Sequence, residues 1–285
     1  MLRIAVQAKG RLYEETMSLF AEAGIRVEMG KRALLVSACD FPVEIIFLRD
    51  DDIPQAVADG VADVGVVGEN EYAERQKKVN IIKRLGFSKC RLSLAIPKDK
   101  EKEYTGLDWF NGKKIATSYP VILKNFMASK NIDVEMHVIS GSVEISPSIG
   151  IADAIFDIVS SGSTLVSNRL KEVETVMRSE ALLIGFPNLS DEKRAILDEI
   201  IFRIDAVQTA YGKKYILLNI ATDKIDEIIQ MLPGMKSPSI LPLAKEGWSS
   251  LHSVVDEEQV WEIIGKLKSL GAQGILVLPI EKMLV

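Results

Sequence analysis

Hydrophobic and polar positions alternate in two rhythms along the chain. Leu2 to Ala8, Val43 to Leu48 and Asp63 to Val67 are apolar or β-branched runs of strand length, and the last is unbroken, as in a parallel strand buried on both faces. Between them, Leu12 to Ala23 repeats at helical spacing through Leu12, Met17, Leu19 and Phe20. Ala33 to Ser37 predicts a further strand, and Asp52 with Pro54 predicts the cap and first turn of a helix through Ala58. Gly68-Glu69-Asn70 reads as another turn at a strand end, and Ile81 to Leu85 and Arg91 to Ile96 as strands. The strand–turn–helix pattern then begins again: a strand Lys113 to Thr117, a helix Val121 to Ser129, strands Val134 to Ile139 and Ile155 to Val159, and an extended return over Val173 to Ile184. Charged or glycine-containing turns at successive strand ends are the layout of open α/β sheets.

Two extended crossings, near 88–96 and 173–184, predict a two-lobed, periplasmic-binding-protein-like α/β core. Its first lobe is discontinuous, over 1–93 and 180–212, and its second covers 94–179. Asp191 to Thr209 predicts a long amphipathic helix capped by Ser190. From residue 213 to 285 the order becomes β-α-β-β-α-β, which predicts a small ferredoxin-like domain, with a turn at Pro233-Gly234.

Composition narrows the function classes. The 285 residues are 47% hydrophobic and 26% charged, with a net charge of −5 and a pI near 5.3, unlike a general nucleic-acid or membrane-surface binder. Two cysteines without metal-ligand spacing fit a reducing, cytoplasmic setting. No signal-peptide pattern and no bilayer-length apolar run is seen. Two histidines leave no basis for a histidine-dependent hydrolase.

Candidate chemistry concentrates in 144–165. There a short apolar strand runs into Ser160-Ser161-Gly162-Ser163-Thr164, whose hydroxyls and backbone amides at a helix start suit a phosphate. Asp153 and Asp157 would repel a phosphate but suit the hydroxyls of a sugar carrying it. A plain strand–turn–helix with a serine cap fits the same local residues. Lys9 and Arg11, flanking Gly10 at the first strand end, suit an anion or a solvated turn.

Longer stretches identify a family. The chain resembles ATP phosphoribosyltransferases of the long, self-regulated form in Gln7-Ala8-Lys9-Gly10-Arg11, in 48–54, 65–70, 90–95 and 115–120, and in 232–243 and 271–283. The central signature is carried by Glu144, Gly150, Ala152, Ile155, Asp157, Ser161, Gly162, Thr164 and Leu165. The resemblance implies transfer of a phosphoribosyl group from phosphoribosyl pyrophosphate (PRPP) to N1 of ATP, with Mg²⁺, as the first step of histidine biosynthesis. It implies Lys9, Arg11 and Arg32 as catalytic residues around the pyrophosphate. PRPP would be held by Glu144, Asp153, Asp157, Ser160, Ser161, Gly162, Ser163 and Thr164, with metal ligands left unassigned. ATP would meet Gly10, Arg49, Asp50, Glu69 and Tyr119, although Tyr119 also reads as a packing residue. Feedback by histidine would involve Ser237, Ser239, Leu241, Ala272 and Gly274, in a dimer-to-hexamer equilibrium of identical chains with no nucleic-acid or membrane partner. A solute-binding module shares the two-lobe outline, and a scaffold subunit with a degenerate site is the other competing class.

Overall fold

Three sheets organise the chain in a computed structural model, which describes residues 1–28, 34–230, 232 and 237–284; counts below refer to these residues. The first stretch carries β1 (Leu2–Gln7), α1 (Arg11–Glu22), β2 (Leu35–Ser37), β3 (Val43–Leu48), α2 (Ile53–Ala58), β4 (Val64–Gly68), α3 (Glu69–Arg75) and β5 (Asn80–Arg84). The second carries β6 (Cys90–Pro97), β7 (Lys114–Thr117), α4 (Pro120–Ser129), β8 (Glu135–Val138), β9 (Ala154–Val159), α5 (Ser163–Ser167) and β10 (Leu170–Ser179). Then follow β11 (Ala181–Gly185), α6 (Asp191–Ala210), β12 (Lys213–Ala221), α7 (Ile225–Ile229), β13 (Ser239–Pro242), β14 (Trp248–Asp256), α8 (Val260–Ser269) and β15 (Gln273–Pro279).

The two lobes share one plan. In the first sheet, ordered β2-β3-β1-β4-β11-β5, β1 lies parallel between β3 and β4, and antiparallel β11 follows. In the second, ordered β10-β6-β9-β7-β8, β7 lies parallel between β8 and β9, and antiparallel β6 follows. Each lobe is therefore completed by a strand that arrives across a crossing from the other, the arrangement of a two-lobed, periplasmic-binding-protein-like α/β core. All of β6 pairs in the second sheet, from Cys90 onward, so that sheet takes up the chain earlier than residue 94. The extended return over 173–184 is two strands, β10 and β11, in different sheets, and the chain changes lobe at Glu180.

Packing explains the local choices. Phe156, Leu92, Leu94 and Ile115 meet Ile122, Leu123 and Met127 of α4 on one face of the second sheet. Ile155 and Val159 meet Val143 and Leu165 on the other. In the first lobe, a Cβ added to Gly65 would lie 2.6 Å from Ile53 Cγ2, so only glycine lets α2 pack this closely on β4. Ser190 caps α6 as expected, its Oγ accepting from Lys193 N at 3.4 Å. Asp52 does not cap α2 through its side chain, because a 3₁₀ turn over Asp50–Asp52 already holds it in helical conformation. α3, expected only as a turn, is a seven-residue helix with Asn70, Glu71 and Glu74 buried.

Contact density divides the chain into Met1–Ser18 with Ile25–Leu197, and Leu19–Gly24 with Asp198–Val285. The second unit contains the antiparallel sheet β13-β14-β12-β15, which is the ferredoxin-like order. One face of the sheet is closed by a core that includes Ile216, Leu218, Ile220, Leu251, Ile228 and Leu267. The expected turn at Pro233-Gly234 lies outside the described residues.

Candidate active site

The stretch after β9 is bent back by Gly162, whose φ of +83° is open to glycine and strained for other residues, and α5 starts at once. Ser161 Oγ lies 3.0 Å from Ser163 Oγ and accepts from Ser163 N at 3.4 Å, so the hydroxyls gather around the turn. Two arginines brace it. Arg91 of β6 donates Nη1 to Ser160 O at 3.1 Å, and Arg11 of the first lobe donates Nη1 to Ser160 Oγ at 3.1 Å. Arg91 is held in turn by a bidentate pair with Glu172, 2.6 Å on each arm, which keeps that carboxyl below the usual range. Arg91 is a residue the sequence reading passed over; its signal was its place in the 90–95 match. A cavity of about 1710 Å³ runs along α5, lined by Ser161, Gly162, Ser163 and Arg91 and, farther along, by Lys98 and Asp153.

Asp157 lies on β9 just before this turn. Burial pushes its carboxyl up to about 6, Glu144 adds to the rise, and the bond from Ile158 N (2.8 Å) opposes it. Asp157 thus lies just before Ser160–Thr164, within electrostatic reach of Glu144. Asp153 is not with them. It precedes the first residue of β9, where its Oδ2 accepts from Lys114 N at 2.9 Å. Four residues along a strand span about 13 Å, and the hydroxyls of one ribose cannot bridge that gap. The even spacing places the two aspartates at different ends of β9, and Asp153 lines the cavity that reaches Ser161–Ser163.

In the first lobe, Lys9, Gly10 and Arg11 are exposed at the end of β1, and Arg11 reaches the turn after β9. Arg49 and Asp50 follow β3; Arg49 Nε lies 3.2 Å from Asp51 Oδ1, and Arg75 links Asp51 (3.5 Å) to Glu71 (3.3 Å). Burial, with Asp50 nearby, raises the Glu71 carboxyl, and Arg75 offsets part of that rise. Two of the residues expected at ATP are engaged elsewhere. Glu69 is committed to Arg84, which also holds Glu180 at 3.1 Å, beside the lobe crossing. Tyr119 is only 8% exposed and belongs to the second-lobe core; its Oη accepts from Asn70 Nδ2 at 3.2 Å, and burial raises its pKa. Arg32 lies outside the described residues.

The residues assigned to histidine separate into two groups. Ser237 precedes β13, and Ser239 and Leu241 lie on it, at one edge of the C-terminal sheet. Gly274 lies on β15 at the opposite edge, with Ala272 just before it. Three strand spacings, about 14 Å, separate the edges, so one histidine cannot touch both within one chain. Ala272 is also buried in the domain core, which removes it from the surface.

Among the described residues, no group of three or more His, Cys, Asp or Glu side chains is arranged to hold a metal. No helix among them is long and apolar enough to cross a membrane.

Comparisons with known proteins agree with one another. The ATP phosphoribosyltransferase family pattern matches residues 49–206, and that of its C-terminal domain matches 210–282. The chain is 69% identical over all 285 residues to the ATP phosphoribosyltransferase of Bacteroides thetaiotaomicron, covering 100% of both chains. It is 57% identical over 282 residues to that of Cytophaga hutchinsonii, covering 99% of this chain and 98% of the relative. Among solved structures, it superimposes with a TM-score of 0.61 and 25% identity on a chain of the ATP phosphoribosyl transferase (HisG:HisZ) complex from Thermotoga maritima, covering 72% of this chain and 98% of that one. With a family match across both catalytic and C-terminal regions and full-length relatives, the chain belongs to the ATP phosphoribosyltransferases, enzymes of histidine biosynthesis.

Proposed function

We propose that the chain transfers the 5-phosphoribosyl group of PRPP to N1 of ATP, releasing pyrophosphate. One observation supports this above the others: Arg11 of one lobe meets the Ser160 hydroxyl of the other, at the turn that Glu144 and Asp157 flank. In this reading Ser160 to Thr164 take the 5-phosphate, and Glu144 and Asp157 accept from the ribose hydroxyls. Arg11 and Lys9 would face the pyrophosphate, whose negative charge grows as the C1–oxygen bond breaks, and Arg32, outside the described residues, is the third cation that the resemblance implies. Adenine N1 attacks with its own lone pair, so no base is needed at that atom and alignment of the two substrates carries the catalysis. Gly10, Arg49 and Asp50, just after the ends of β1 and β3, are assigned to the nucleotide.

Mg²⁺, when bound, would neutralise the phosphates. Among the described residues no side-chain cluster is arranged to hold it, and Glu144 and Asp157 are the carboxylates at the proposed sugar site that could meet it. Incubating the protein with PRPP, ATP and Mg²⁺ and following the absorbance of the adenine adduct tests the reaction. Adduct formation is expected; tight binding of both substrates without adduct would favour a binding module.

We also infer feedback by histidine through the C-terminal sheet. Because Ser239 and Leu241 stand on one edge and Gly274 on the other, a shared histidine site requires unlike edges of two copies, which agrees with a homo-oligomer of dimers and hexamers. Leu241, 55% exposed on β13, is the residue to change. Leu241→Glu is expected to keep turnover and abolish inhibition by histidine; full inhibition in the variant would reject this placement. The proposed division is 1–93 with 180–212, 94–179 and 213–285, with the first boundary drawn back to Cys90 by the pairing of β6, in a cytoplasmic enzyme.

A further inference from the structure

α4 begins without a cap of its own. Its N-cap position holds Tyr119, and no side-chain bond caps it there. Pro120 brings no N–H, which leaves the amides of Val121 and Ile122 as the donors of the first turn that need a partner. Both donate to Glu74, Val121 N to Oε1 at 2.9 Å and Ile122 N to Oε2 at 3.0 Å. Glu74 belongs to α3, in the stretch before the first crossing, and is only 7% exposed. A carboxylate so placed is offset by the two amides and by the positive end of the helix it caps.

The rest of α3 tightens the same joint. Asn70, one helical turn before Glu74, donates Nδ2 to Tyr119 Oη. Its backbone N donates to Ser179 Oγ at 3.1 Å, and Ser179 Oγ donates back to Asn70 Oδ1 at 2.9 Å. Ala73 packs against the second-lobe core. At its start α3 is fastened to the crossing, Glu69 N donating to Glu180 O at 2.9 Å. The joint thus ties the C-terminal end of β4 to that of β7, whereas Arg11 to Ser160 is an exposed bond between side chains.

We propose that Glu74 is a positioning residue: by capping α4 from the other lobe it fixes the angle at which the lobes present their two substrates to each other. The inference rests on the PRPP–ATP reading of the site.

Two variants test it. Glu74→Gln keeps the shape and one acceptor oxygen, and Glu74→Ala removes both acceptors. Peptide-resolved hydrogen exchange over residues 119–124 is expected to speed up on the order of tenfold in Glu74→Gln and further in Glu74→Ala, with β9 and α5 unaffected. The kcat is expected to fall on the order of tenfold and a hundredfold respectively, while KM for PRPP stays within about twofold, because misalignment costs rate and the phosphate turn is untouched. Unchanged exchange at 119–124 would overturn the cap. Faster exchange with wild-type kcat in both variants would overturn the positioning role, as would a loss of PRPP affinity equal to the loss of kcat. If Glu74→Ala does not fold, Glu74→Gln decides alone. A wild-type protein that makes no adduct removes the reaction assigned to the site, and the exchange result still decides the cap.

Discussion

The turn at Ser160–Thr164 and the joint between α3 and α4 hold the two lobes by opposite means. The turn is made from consecutive residues, shaped by the positive φ of Gly162 and by hydroxyls two positions apart. The joint gathers Asn70 and Glu74 from one helix, Tyr119 with the amides of Val121 and Ile122 from another, and Ser179 from a strand end. Residues at the turn can be exchanged with local consequences for ligand binding. Residues at the joint are buried, so a change there leaves polar groups without water or partner and is felt in stability as well as in rate. On the proposed reading, recognition is exposed and local, whereas alignment is buried and assembled.

Substitutions on both sides sharpen this contrast. The largest effect is expected for Arg11→Ala, which removes a cation from the pyrophosphate end: kcat should fall on the order of 10²–10³-fold, as for one removed electrostatic donor, with the melting temperature unchanged. A steady-state assay beside a thermal melt checks both halves. An equal fall in stability would place Arg11 with the joint.

Next comes Asp157→Asn. Loss of its charged acceptor should weaken PRPP binding about 10- to 100-fold, measured by calorimetry. With its pKa near 6, Asp157 takes up a proton as pH falls through that value, so PRPP affinity in the parent should decline below about pH 6, and this step should vanish in Asp157→Asn. The stability sign is opposite. The folded-state pKa lies above the unfolded one, so the contribution is full below the unfolded pKa and is lost as pH rises through about 6. The free Asp157→Asn protein should therefore melt higher than the parent at pH 8.

Ser179→Ala tests the joint from its far side. It strips two bonds from buried Asn70 and should cost about 1–3 kcal/mol in denaturant unfolding, with PRPP affinity unchanged. The smallest effect is expected for Asp153→Asn. Standing at the far end of β9 with Lys114 N as its partner, it should change PRPP affinity by less than about twofold. A tenfold loss would put Asp153 back at the sugar.

Much of the site was legible in the residue order because its parts are close in sequence. The apolar run Ile155 to Val159 and the Gly/Ser/Thr stretch after it predict a strand, a turn and a helix start, and β9, Gly162 and α5 follow that prediction. Where partners are distant, sequence spacing misled. Asp153 and Asp157 share a strand face, yet a strand puts four residues about 13 Å apart. Ser239 and Gly274 were grouped by resemblance, and the register of β12 and β14 sets them on opposite edges.

What the sequence by itself determined is most of the elements, α3 excepted, and the local shape of the turn at Ser160–Thr164. Hydrophobic period, glycine placement and hydroxyl-bearing turns act over a few neighbouring residues, and the family signature lies within one such stretch. What only the tertiary structure decided is which distant groups satisfy one another. The short α3 has too few turns to announce itself by periodicity, and nothing local to α4 reveals that its cap comes from Glu74. Buried polar groups must find partners wherever the chain brings them, and here the crossing of two lobes supplied them.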